Sequence, residues 1–195
     1  MLVASSLNTA LAAGLGITAT PYTLAYAEGI IASLQAATFS HVLVTGIAPP
    51  SGPLTAGTAV GGIMVITPGP MEAITSVQFS TSPHILTENA AIVTYVGTGL
   101  INFAPGTING ACAAGAFVGS GIGGTILGLT GSDALVAVST ALGSVGPLGL
   151  PFYNALITYI LANANCSYAP GTVVGAYAFP AGGPMTGSAA GGTIA

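Results

Sequence analysis

Neither lysine nor arginine occurs anywhere in the 195 residues, tryptophan is also absent, and the acidic side chains are Glu28, Glu72, Glu88 and Asp133 alone. With His41 and His84 neutral the formal charge is -4, and the isoelectric point lies near 4.4. Charged residues make up 2% of the chain, against about 25% in ordinary soluble domains. The missing cations exclude a list of partners. Nucleic-acid binding draws its affinity from Lys and Arg neutralising phosphates, so no nucleic-acid role is expected. A phosphate-loop lysine, arginine clamps on carboxylates, polybasic membrane attachment and positive-inside topology signals are excluded on the same ground. Met1 to Ser6 carries no basic region ahead of an apolar stretch, so a secretory signal is not expected.

What is present is apolar and flexible: 52% hydrophobic residues, 30 glycines, 13 prolines and a mean hydropathy of +0.87. Such a chain can bury a core and is not disordered, because disorder needs low hydrophobicity and high charge. It has little with which to solvate an isolated surface, and is expected to need neighbours. Cys112 and Cys166 allow one disulfide, but as small apolar residues in so hydrophobic a chain they are expected to be free and buried. The uncharged run Ala111 to Leu129 approaches the length a bilayer span needs, about 20 residues. Six glycines fall in it, each disfavouring helix by about 0.8 to 1 kcal/mol, so a Gly-rich β segment is the better reading.

Self-similarity is the most informative feature of the sequence. Pro21, Pro83 and Pro151 each open an apolar-periodic stretch that leads to Val42-Leu43-Val44-Thr45-Gly46, Thr107-Ile108-Asn109-Gly110 and Thr172-Val173-Val174-Gly175. Each then reaches a glycine pair: Gly61-Gly62-Ile63, Gly123-Gly124-Thr125-Ile126 and Gly191-Gly192-Thr193-Ile194. Proline to first marker glycine spans 25, 27 and 24 residues, and that glycine to the pair 15, 13 and 16. Upstream, Asn8-Thr9-Ala10-Leu11, Glu72-Ala73-Ile74 and Ser139-Thr140-Ala141-Leu142 hold corresponding places. Three units result: residues 1–67, 68–130 and 131–195, sharing one core in a single domain.

The expected fold class is α+β, with three internal repeats, each two short helices followed by a Gly-rich β segment, closed about a pseudo-threefold axis. Thr20 before Pro21 and Ser82 before Pro83 supply N-cap hydroxyls ahead of a proline whose missing N–H is harmless at the first helical position; Leu150 before Pro151 does not. Leu24, Ile30, Ile31 and Leu34, and Leu156, Ile157 and Ile160, fall near a 3.6-residue period. Val42, Val44 and Thr172 to Val174 are β-branched and punctuated by Gly, Pro and Thr into short strands or extended turns. Closure is favoured because an open array of three, with no polar capping unit, leaves two apolar ends exposed.

Chemistry is harder to find. His41 precedes an expected strand and His84 follows a proline at a helix start, so they are not equivalent in the repeat. With Cys112, Cys166, Glu28, Glu72, Glu88 and Asp133 they form no ligand spacing, and no metal site or cofactor is expected. The four carboxylates read as solvent markers, with Glu88 and Asp133 also suiting helix starts, and no two lie within a helical turn of each other for acid–base work. Gly119-Ser120-Gly121 and Gly143-Ser144-Val145-Gly146 lack the geometry of a nucleophile elbow. Gly14-x-Gly16 and Gly119-x-Gly121-x-Gly123 lack the strand, acid and helix of a dinucleotide loop. Asn165-Cys166-Ser167 fits a glycosylation triplet that means nothing without a secretory route. No catalytic, cofactor-binding or metal residue is assigned, and the chain is not expected to be an enzyme.

A charge-poor, glycine-rich chain suits enclosure by other subunits, with seven Tyr and six Phe as adhesive area. The Gly-Ala-Thr-rich units and their terminal glycine pairs resemble the low-charge, repeat-built virion proteins of tailed bacteriophages, those of the tail, baseplate and spike regions. That resemblance implies a place in a threefold or sixfold virion assembly, obligate partnership with other structural subunits, and no activity. A membrane-embedded or membrane-inserting protein is the first alternative, and a secreted or cell-surface structural protein the second.

Overall fold

Residues 1–79 and 82–195 are described by a computed structural model of the chain. The first helix pair follows the sequence signals closely. Helix α1 (Ala4–Leu15) ends at Gly16, whose left-handed φ of 67° lets the backbone turn. Helix α2 (Pro21–Ala36) begins with proline behind a Thr20/Thr23 capping box and buries Ile30, Ile31 and Leu34. It runs into strand β1 (Thr38–Ala48), a short β2 (Ser51–Pro53) and β3 (Thr55–Val65).

Two further helix–helix–strand–strand segments follow. Helices α3 (Gly69–Phe79) and α4 (Pro83–Val96) precede β4 (Leu100–Ala113) and β5 (Ala116–Leu127); α5 (Gly131–Leu142) and α6 (Gly149–Asn163) precede β6 (Cys166–Tyr177) and β7 (Gly183–Ile194). Thr130 caps α5 through its hydroxyl, whereas Ser82 stands at the N-cap of α4 without making the expected side-chain bond, and α6 starts uncapped two residues ahead of Pro151. Where short strands or extended turns were expected, the β segments are long hairpin arms: β1 and β3 to β7 run 11 to 14 residues each.

Every strand pairing is antiparallel. β1 pairs with β3, β3 with β4, β4 with β5, β5 with β6, β6 with β7, and β7 returns to β1, closing a six-stranded barrel; β2 adds to β4 outside the ring. Closure leaves no unpaired edge in the ring. The protein is thus α+β, with six helices and a closed antiparallel barrel among the described residues.

The helices form their own circuit: α1 packs on α2 and α6, α2 on α3, α3 on α4, α4 on α5, and α5 on α6. Their contact with strands is mainly that of α2 with β7 and α6 with β5. Because a helix leads into every hairpin, and out of the first two, at the same end, this circuit caps one end of the barrel and leaves the barrel wall bare. Side-chain hydrogen bonds join it. Thr23 Oγ1 donates to Asn8 Oδ1 (2.5 Å), Met71 N to Ser33 Oγ (3.2 Å) and Asn89 Nδ2 to Thr75 Oγ1 (2.7 Å). The Tyr159 and Tyr95 hydroxyls each bridge the backbone N–H and C=O of a helix N-cap residue, Val3 and Thr130 respectively. The core is continuous from Leu7, Leu11, Ile30, Ile92 and Leu156 among the helices to Phe39, Phe103, Phe117 and Tyr168 inside the barrel.

Candidate assembly surface and buried polar clusters

Inside the barrel, glycine and aromatic rings interlock. The second glycine of each marker pair faces a ring: a Cβ on Gly62 would collide with the His41 imidazole and one on Gly192 with the Phe39 ring, while one on Gly124 would stand 2.6 Å from Phe103 Cζ. The first glycines, Gly61, Gly123 and Gly191, take left-handed φ values of 70°, 80° and 70°, each within a register shift between paired strands. Left-handed backbone disfavours any residue with a Cβ, so each pair forms a bulge that sinks the next residue against a ring. The rings gather: His41, Phe103 and Tyr168 lie with centroids 5.6, 5.8 and 5.4 Å apart, and Phe39 sits 4.8 Å from Tyr168.

His41 is the polar member of this cluster, and it lies within β1 rather than ahead of it. Its Nε2 is 2.7 Å from the Ile101 carbonyl and its Nδ1 2.8 Å from the Tyr168 hydroxyl. A carbonyl only accepts, so Nε2 carries the proton and Nδ1 accepts from Tyr168. Burial holds the imidazole below its ordinary pKa, opposed by the Ile101 bond, and pushes the Tyr168 phenol well up. The neutral, doubly bonded ring has no lone pair free for a metal or a proton relay.

The outer wall exposes many aliphatic side chains. Val42 is 85% exposed, Val65 64%, Ile122 66% and Ile63 60%, joined by Val60, Ile47 and Val118. Register makes some of these continuous: Ile63 lies opposite Leu100, Leu100 opposite Leu127, and Val118 opposite Val174. No acidic or basic side chain points outward from the barrel strands; what separates the aliphatics is mainly Thr, Ser, Asn, Ala and Gly. Exposed aliphatic side chains are thus spread over the outer wall of the barrel.

All four acids sit on helices. Glu28 on α2 is exposed, and Glu72 and Asp133 occupy first helical turns, where the dipole favours them. Glu88 is the exception to its reading as a solvent marker. It lies in the second turn of α4, half-buried, and its Oε1 accepts from the Tyr153 hydroxyl of α6 at 2.8 Å. Burial raises its pKa, opposed by that hydrogen bond and by His84. Tyr22 and Tyr26 of α2 stand nearby; desolvation and the Glu88 charge push the Tyr22 phenol up to about 12, and burial raises Tyr26 well above its ordinary value. The Tyr26 hydroxyl is buried and has no hydrogen-bond partner among the described residues.

Cys112 and Cys166 are free and buried. They pair with Phe117 and Gly124 of β5, which at about 3.3 Å per residue sets them roughly 20 Å apart along the barrel, far beyond disulfide reach. Burial pushes the Cys166 thiol up to about 12, so neither a thiolate nucleophile nor a ligand is prepared there. His84 is exposed on α4, and Asn165 is exposed between α6 and β6. Among the described residues no three His, Cys, Asp or Glu side chains come together as a metal site. Gly119 and Gly121 line the barrel interior and Gly123 forms a bulge, so the dinucleotide-like spacing serves packing. Sequence reading missed the Glu88–Tyr153 pair, which joins residues 65 apart. It also missed that Phe103 and Tyr168 each precede Ala-Pro-Gly-Thr, the shared marker of two of the three clustered rings. The chain matches no family model, no curated protein and no solved structure.

Proposed function

We propose that this chain is a non-catalytic structural subunit of a large assembly, with the bare wall of the barrel buried against neighbouring protein. The uncharged, aliphatic outer wall carries the reading: over 11- to 14-residue strands it offers neighbours no charge to desolvate. Within that class, the resemblance of the glycine-paired units to tailed-phage virion proteins favours a tail or baseplate component. The chain reads as three internal repeats about a pseudo-threefold axis, with boundaries near 67 and 130. That reading is supported by the recurring order of elements, by the three glycine pairs with bulge and ring, and by the near-equal separations of His41, Phe103 and Tyr168. Such a unit suits a threefold or sixfold assembly.

One observation favours a second reading. Strands of this length, tilted as in a closed barrel, make an uncharged band on the order of 25 to 30 Å tall, close to a bilayer core. No helix among the described residues is long and apolar enough to cross a membrane, so insertion would use the barrel. The secreted reading loses its disulfide support, since Cys112 and Cys166 stand apart. A photo-crosslinking residue at Val42 in the native source distinguishes these. Adducts with other virion proteins are expected; adducts with lipid alone, or none, would overturn the assembly reading.

A further inference from the structure

We propose that the mouth of the helix circuit, at the end away from the barrel, binds an organic ammonium group, the head of a lysine side chain presented by a neighbouring protein. A cavity of about 210 Å³ opens there, bounded by Tyr22, Glu88, Leu148, Phe152 and Tyr153. Its lining combines the half-exposed Tyr22 ring, the largely buried Phe152 and Tyr153 rings and one carboxylate, and aromatic rings with a counter-charge recognise alkylated ammonium ions. The carboxylate is held in place by the Tyr153 hydroxyl, and no other hydrogen bond among the described residues reaches it.

Nothing within the chain supplies the complement. There is no lysine or arginine, and the one basic side chain acting on Glu88 is His84, exposed and one turn earlier on the same helix. An anion would face Glu88, and a neutral apolar group would leave it without a counter-charge. Helix ends do not reverse this preference: the N-termini of α2 and α6, the latter with its N-cap Leu148, meet at this mouth with the C-terminal side of α1 at Leu15 and the segment after α5 at Val145, so the dipoles oppose one another. The source of the ammonium rests on the assembly reading; the chemistry of the cavity does not.

The test uses the full chain, kept dispersed in one non-ionic medium throughout, and reads tyrosine fluorescence. The probes are N-acetyl-lysine methylamide, n-butylammonium and the neutral isostere N-acetyl-norleucine methylamide. The first two should saturate at millimolar concentration or below and the third should not. Glu88→Gln should weaken both cations about tenfold or more, and Tyr22→Leu, at a half-exposed ring, should weaken them several-fold with an unchanged circular dichroism spectrum. Equal binding of norleucine, no saturable binding, or indifference to both substitutions overturns the site. Binding of butylammonium without the lysine derivative overturns lysine as its source. A chain that binds both cations yet sediments as a monomer in plain buffer overturns the assembly reading and leaves the site standing.

Discussion

The helix circuit carries Glu28, Glu72, Glu88, Asp133 and His84, while the barrel strands carry no acidic side chain and one histidine, sealed inside. The circuit also buries Thr23, Ser33, Thr75 and Asn89, each in a hydrogen bond between helices. The barrel is located instead by backbone ladders and by rings set on glycines. Helices have no polar groups to share with one another except through side chains, whereas each strand is aligned by its neighbours' backbone. A sequence with almost no charge can therefore specify a helix arrangement with hydroxyls and amides, and a barrel mainly with backbone ladders and the fit of rings to glycines. Polar groups gather on the helical end, and the wall keeps only neutral residues.

The sharpest way to break this contrast is to change size without polarity. Gly124→Val or Gly192→Val should destabilise the barrel by about 3 kcal/mol or more, because the new side chain meets Phe103 or Phe39 and the packed interior cannot yield. Gly69→Ala, with open space around it at the start of α3, should change stability by less than about 0.5 kcal/mol. Chemical denaturation of the three variants compares them.

Removing the one polar ring from the barrel should rank next. His41→Ala leaves the Tyr168 hydroxyl and Ile101 carbonyl unpaired beside a cavity, an expected loss of about 3 kcal/mol. Asn89→Ala, breaking one interhelical bond to Thr75, should lose about 1 kcal/mol.

The smallest effects separate the two regions by pH. His41 has a folded pKa below its ordinary 6.5, so its contribution is present above that value and lost as pH falls through the folded pKa. Glu88 has a folded pKa above its ordinary 4.5, so its contribution is present below that value and lost as pH rises through the folded pKa. Melting temperature across pH 4 to 8 should lose its acid-side decline in His41→Phe paired with Tyr168→Phe. The neutral-side decline should disappear in Glu88→Gln, which can still accept from Tyr153.

Much of this architecture was readable in the amino-acid order, and the reasons differ by element. Pro21 behind Thr20 and the Ile30, Ile31, Leu34 spacing mark α2 because capping and helical period are local properties. The β-branched stretch at Val42 and Val44 marks β1 for the same reason. The glycine pairs were visible as landmarks but not as bulges, since only the fold shows that Gly124 lies against Phe103, 21 residues away. Frequent glycine also hid the two-residue alternation of β4 to β7, so long hairpin arms read as short strands. Closure through β1 and β7 and the Glu88–Tyr153 pair join distant residues, and no local period announces them.

Sedimentation velocity of the full chain in plain buffer, over a hundredfold range of concentration, tests most directly whether the bare barrel wall requires a covering. Self-association growing with concentration, and abolished by Ile63→Asp combined with Leu100→Asp at the paired aliphatics of the wall, is the predicted result. A single species of 18.7 kDa at every concentration would contradict it.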